Sequence, residues 1–160
     1  MNARVAIGAV VVVLAVVIFF ATREKPVDPE VAIRAALEAS AKAASEKNLD
    51  GTIEILSEKF KGPNGIDRSG AKRIIFMQLR QGDWSRVFFA RTEVQLSEDA
   101  TKANVTTHAV LARGSAIEKL EDVLPTSATV YRFEFQFERE GKTYRIISGE
   151  YRPAQLLDLK

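Results

Sequence analysis

Few side chains in this 160-residue chain could do chemistry. Histidine occurs once, at His108, and cysteine not at all. A thiolate nucleophile, a disulfide scaffold and a Cys- or His-rich metal site are therefore excluded, and neither a metal nor a cofactor is expected. Alternation along the strand reading KANVTTHAVLA sets His108 beside Asn104 and Thr106, opposite Val105 and Ala109, so it is expected as a solvated histidine on the outer sheet face. Thr92, Thr107, Ser148 and Glu150 are the polar residues expected to face inward, and so the candidates for lining a pocket. Glu150, if inward, can pair with Arg80 or Arg145. A structural ion pair is the first reading of that contact and a catalytic acid the second. Gly62 and Gly65 lack the spacing of a phosphate loop. Asn104-Val105-Thr106 matches a glycosylation sequon. Trp84 is expected to pack at a strand entrance, and Arg68, Lys72, Arg73 and Arg80 to form a solvated helix face.

Three helices and then four strands must position these residues. Asp28-Pro29-Glu30 is a helix start, with a capping side chain, a proline suited to the first turn and an acid at the positive end of the dipole. Ile33, Leu37, Ser40, Ala41 and Ala44 give that helix an apolar stripe to about Lys47. A second helix is expected from Asp50, with Ile53, Leu56 and Phe60 inward, followed by a plain loop at Lys61–Gly65. A third runs from about Arg68 to Leu79. From Trp84 the period changes to two. Strands are expected at about Arg86–Leu96, Lys102–Arg113, Thr129–Glu138 and Thr143–Tyr151. In the first, Phe88, Ala90, Thr92, Val94 and Leu96 share one face, which leaves Phe89 and Arg91 on the other. In the third, Phe133, Phe135 and Phe137 are expected to line the core against Leu37 and Ile75. The fold class is α+β, a four-stranded antiparallel sheet covered on one face by the helices.

The segment Val5–Ala21 carries no charge. As a helix it spans about 25 Å at roughly 1.5 Å per residue, the short end of what crosses a bilayer. Phe19 at the −3 position of the best cleavage site argues against removal as a signal peptide. The expected division is a transmembrane anchor at 1–21, a linker at 22–28, a domain at 29–154 and a tail at 155–160. The expected address is a cell inner membrane, single-pass, with the domain exported to the periplasmic side. A counting argument opposes that orientation, because Arg23, Lys25 and Arg34 outnumber Arg4. With 23 basic against 21 acidic residues the net charge is +2, too small to imply nucleic acid as a partner.

The order of three helices followed by a long-stranded meander resembles the nuclear transport factor 2-like (cystatin-like, SnoaL/ketosteroid-isomerase) superfamily, over about Asp28–Pro153. The stretches VQLSEDATKANVTTHAVL, GKTYRIISGEYRP and LDGTIEILSEKF carry the likeness. It implies a curved sheet wrapped round a long helix as a cone, often with an apolar cavity. It also implies dimers through the outer sheet face in many members, and periplasmic assembly subunits of type IV secretion systems among anchored ones. Those subunits usually have a longer cytoplasmic tail than the four residues before Val5. The isomerases of the superfamily need a carboxylate base with a tyrosine and a second acid; here the first helix offers no tyrosine.

Two function classes follow. The first is a membrane-tethered, non-catalytic association module, held in the lipid bilayer by Val5–Ala21, with a second copy or a membrane protein as partner. Its interface candidates are Phe89, Val110, Arg91 and Arg132 on the outer sheet face. The second is small-hydrophobic-ligand binding, or isomerase or hydrolase activity, in the cone.

Overall fold

The computed structural model describes residues 27–114, 116–123 and 125–159. The anchor at 1–21 and the linker up to residue 26 lie outside the described residues. Among the described residues no helix is long and apolar enough to cross a membrane.

Helix α1 (Pro29–Ser45) starts as its sequence dictates: the Asp28 carboxylate accepts the Glu30 amide at 2.8 Å, with Pro29 in the first turn. Its stripe Ile33, Leu37, Ser40, Ala41 and Ala44 is buried. Helix α2 (Leu49–Ile53) is capped by Asn48, whose side chain accepts from the Gly51 amide. The expected second helix stops there. Leu56–Lys61 is instead strand β1, so the sheet has five strands rather than four. Spacing alone fits Ile53, Leu56 and Phe60 to a helix. The deciding fact lies about ninety residues away, where the edge of β5 (Thr143–Ala154) offers free backbone groups. β1 pairs with it in parallel, opened by the Ile146 amide donating to the Ile55 carbonyl at 2.8 Å.

Helix α3 (Arg68–Gln81) follows, capped by Asp67. Then come β2 (Arg86–Leu96), β3 (Lys102–Ala112) and β4 (Ala128–Glu140). The sheet order is β1-β5-β4-β3-β2, with all pairs antiparallel except β1–β5. The main core lies between α1 and the sheet, where Ile33, Leu37, Ile53, Leu56 and Phe60 meet Val105, Phe137 and Ile146. Phe137 is fully buried there and Phe135 packs half-buried beside it. A second cluster, Leu79, Trp84 and Ala44, closes the end where α3 enters β2.

A third cluster sits on the opposite face of the sheet. Val110, Ala112 and Val130 are covered by Ile117 and Val123 of the β3–β4 connection and by Leu156 and Leu159 of the C-terminal turn Leu156–Leu159. Leu156 and Leu159, in the segment expected as a tail, are therefore packed against the sheet.

Two irregularities decide which side chains face which way. In β2 the register shifts between Ala90 and Glu93, and Arg91 adopts φ +48°. Two residues there oppose one on β3, a bulge that reverses the alternation. In β5 the register shifts beside Gln136/Phe137, with Ile147 the extra residue. Everything before each bulge lies on the face opposite to that expected by counting from residues after it.

Candidate functional site

The inward rows of the sheet, read from the pairing, are Phe89–Ala109–Tyr131–Pro153, Thr92–Thr107–Phe133–Tyr151, Val94–Val105–Phe135–Gly149 and Leu96–Ala103–Phe137–Ile146. None contains a carboxylate. Thr92 and Thr107 do meet, with their hydroxyls 2.8 Å apart, and fully buried Thr107 also donates to the Ala90 carbonyl at 3.2 Å. That pair is satisfied by itself and by the bulge backbone. Neither hydroxyl has a base to activate it.

Ser148 and Glu150 are not with them. The β5 bulge turns both to the outer face, where Ser148 donates to Gln136 Oε1 at 3.1 Å and Glu150 is exposed. The expected Glu150–Arg145 pair is absent. Arg145 bonds the Glu54 carbonyl and stands 3.8 Å from Glu140. Phe89 is corrected in the other direction: the β2 bulge puts it on the inner face, packed against the main core. Val110 faces outward as counted, yet it has no exposed surface, because the connection and the C-terminal turn cover it. Of the four interface candidates only Arg91 and Arg132 remain on an open surface.

His108 also faces outward, but it is 6% exposed rather than solvated. Its Nδ1 is buried with no hydrogen-bond partner, and burial, reinforced by Arg132, pushes its pKa below the ordinary histidine value. The imidazole is held neutral. Among the described residues no group of His, Asp and Glu is arranged to hold a metal ion.

The outer face has an order that counting residues did not reveal. Where the cap over Val110 ends, a row begins that holds three arginine cations: Arg132 on β4 pairs with Arg152 on β5, the neutral His108 on β3 lies on the other side of Arg132, and Arg91 stands in the β2 bulge beside them. The next row is Glu93, Thr106, Glu134 and Glu150. Beyond it come Gln95, Asn104, Gln136 and Ser148. Adjacent strands are about 4.8 Å apart, and rows two residues apart about 6.8 Å. Arg132 reaches Glu134 at 3.2 Å within its own strand, and Arg91 bonds the Asp158 carbonyl at 2.8 Å. Two hollows are set in this face. One, of about 480 Å³, lies between the cap and the cation row, lined by Arg91, His108, Arg132, Arg152 and Asp158 among others. The other, about 310 Å³, is floored by Asn104, Gln136 and Ser148 and flanked by Lys61–Pro63. The signal missed in the sequence was three short stretches, Arg-Thr-Glu at 91–93, Arg-Phe-Glu at 132–134 and Glu-Tyr-Arg at 150–152.

No family model matches this sequence, and no curated protein does. Solved structures do match in shape. A provisionally named scytalone dehydratase from Novosphingobium aromaticivorans superposes with a TM-score of 0.60 at 10% identity, over 79% of this chain and 84% of that one. A Nostoc punctiforme protein of unknown function with a cystatin-like fold gives 0.60 at 8% identity, over 78% and 90%. An NTF-2-like protein of unknown function from Shewanella oneidensis gives 0.58 at 15% identity, over 78% and 98%. Helices on one face of a curved five-stranded sheet, matched over nearly the whole described chain, give this protein the nuclear transport factor 2-like, cystatin-like fold.

Proposed function

We propose that this domain works by association with another protein through the outer face of its sheet, tethered at a membrane by Val5–Ala21 with the domain on the extracytoplasmic side. The observation that carries the reading is the aligned cation and carboxylate rows, left uncovered next to an apolar patch that the chain caps for itself. A purely solvated face has no need for like charges gathered in rows. The inner face supports the reading by default of chemistry: its polar pair is satisfied, and no carboxylate shares it. A tether of seven residues spans at most about 25 Å, which confines the domain near the bilayer and raises its effective concentration toward membrane-bound partners.

A ligand-binding cone is the second reading. Its support is the half-exposed aromatic row in which Phe133 stacks on Phe135 at 5.0 Å and Tyr151 is 62% exposed. Full-length protein in native membranes, treated with a short amine-reactive cross-linker, separates the two. Association predicts cross-linked species that disappear when Arg132 and Glu134 are both replaced by alanine. Monomeric protein under every condition, with binding of a hydrophobic probe abolished by Phe133→Ala, favours the cone.

A further inference from the structure

We infer that the outward face of α3 docks on anionic phospholipid, at the surface of the bilayer that holds Val5–Ala21. The inference rests on the tether in the association reading and goes beyond it, because it gives the domain a fixed orientation over the membrane.

α3 turns one row inward: Ala71 and Ile75 pack on the core clusters and Leu79 is buried. The opposite side of such a helix is ordinarily polar. Here it is not. Ile74, Phe76 and Met77 are 42%, 43% and 49% exposed. Eight large apolar side chains are exposed among the described residues, and three of them fall within these four positions. Arg73, Met77 and Arg80, at i, i+4 and i+7, form the crest opposite the inward row, with Phe76 on one flank and Ile74 on the other.

The charge of this face has one sign. From Arg68 to Gly82 the chain has four basic residues and no acid. Two of the four are matched within the domain, Arg68 by Glu58 at 2.9 Å and Lys72 by Asp50 at 3.3 Å. Arg73 and Arg80, on the crest, have no carboxylate partner among the described residues. Arg80 lies over the Phe76 ring instead, 5.5 Å from its centroid. An apolar protein surface would leave the two arginines unmatched, and an acidic one would leave Phe76 and Met77 unmatched. The headgroup boundary of an anionic bilayer offers both environments at once. Apolar side chains enter the acyl edge while guanidinium groups stay among the phosphates. Basic groups near that surface are also drawn to it within a Debye length.

The reach is sufficient. The seven residues from Thr22 to Asp28 span at most about 25 Å. α1 has 17 residues and so is about 25 Å long at roughly 1.5 Å per residue. Its far end is where α3 ends: Ala44 packs with Leu79 and Trp84, and Lys47 Nζ donates to the Gly82 carbonyl at 3.3 Å. With α1 lying along the bilayer, α3 comes to the surface without the linker being stretched. The helices occupy one face of the sheet, so this contact turns the charged rows of the outer face away from the membrane, toward a partner.

The experiment uses full-length protein reconstituted into vesicles of phosphatidylcholine, with or without phosphatidylglycerol. The chain has no cysteine, so Met77→Cys gives a single site for a nitroxide label. Leu157→Cys, on the cap across the sheet, gives the control. Collisions of each label with lipid-soluble oxygen and with a water-soluble nickel chelate are compared. The ratio of oxygen to nickel collisions at position 77 is expected to rise several-fold when phosphatidylglycerol is present and to fall again in high salt, while that at 157 stays unchanged. Adding Arg73→Glu and Arg80→Glu should abolish the rise, and adding Arg73→Lys and Arg80→Lys should keep it. Circular dichroism of each variant shows that its fold is retained. A water-exposed label at 77 in anionic vesicles, on protein that survives an alkaline wash, overturns the inference and leaves the tether standing. A label shielded equally in both vesicles and in lipid-free detergent means that protein covers the face, and overturns it too. Protein that binds anionic vesicles through α3 but is removed by the wash supports the docking face and overturns the tether.

Discussion

Gly149 lies flat against the Phe135 ring: a Cβ built on it would stand 2.7 Å from Cδ1 and 3.1 Å from Cε1. The ring cannot retreat freely, since its other neighbours are Phe133, stacked at 5.0 Å, and Phe137, edge-on at 6.2 Å. Glycine is required here by space. Gly149→Ala is expected to lower stability by about 1–3 kcal/mol, the usual range for overpacking. Adding Phe135→Leu should recover part of it, as measured by urea unfolding in a double-mutant cycle. Additive losses would show that the two residues do not touch.

The three phenylalanines of β4 share a face but not a burial. Phe137 is fully buried among Leu37, Val105 and Ile146, whereas Phe133 is half-buried and outside that cluster. Phe137→Ala is expected to cost about 3–5 kcal/mol. Phe133→Ala should cost distinctly less. Equal losses by thermal unfolding would contradict the difference in packing.

The sequence sets out the first and third helices, the inward residues of β3 and β4, and the inward placement of Thr92 and Thr107, because each rests on local period and on caps such as Asp28. It does not disclose two bulges of one residue each. Arg91 and Ile147 have no side-chain type that marks a bulge, and each reverses the face of every residue on one side of it. Phe89, Ser148 and Glu150 are all displaced for that reason. β1 was hidden because its only strand partner is remote. Val110 and His108 were on the expected face, but their cover comes from a connection and a C-terminal turn whose path no periodicity encodes. The charge rows become visible only when register aligns three distant stretches.

His108 makes the stability of the domain depend on pH. Its folded pKa is depressed, so between that value and the ordinary value of about 6.5 the unfolded chain binds more protons than the folded one. Stability is expected to fall as pH drops below about 6.5, and to level off below the folded pKa until carboxylates titrate. His108→Gln should remove that step. An unchanged pH profile by thermal unfolding would place the dependence elsewhere.

Asp99 acts in the opposite range. In the β2–β3 turn it accepts from the Ser97 hydroxyl at 2.7 Å and from the Thr101 amide and hydroxyl at 3.1 and 2.9 Å, which lowers its pKa to about 2. The carboxylate's contribution is full above its ordinary pKa near 4 and is lost as pH falls toward 2. Asp99→Asn should therefore flatten the acid limb between those values while leaving stability near pH 6.5–8 dependent on pH as before.

The pairing of β1 with β5 also sets an order of events during synthesis. Leu56 and Phe60 sit on a strand whose hydrogen-bonding neighbour is the last of the five described strands to leave the ribosome. Until Thr143–Ala154 emerges, β1 has no strand to pair with, the sheet under α1 consists of β2, β3 and β4 alone, and Leu56 and Phe60 stay open to solvent or to a holding chaperone. Loop closure over such a separation is slow compared with local helix formation. Fragments that end before residue 143 are thus nascent-chain states rather than subdomains, and quality control has a long interval in which to act on them.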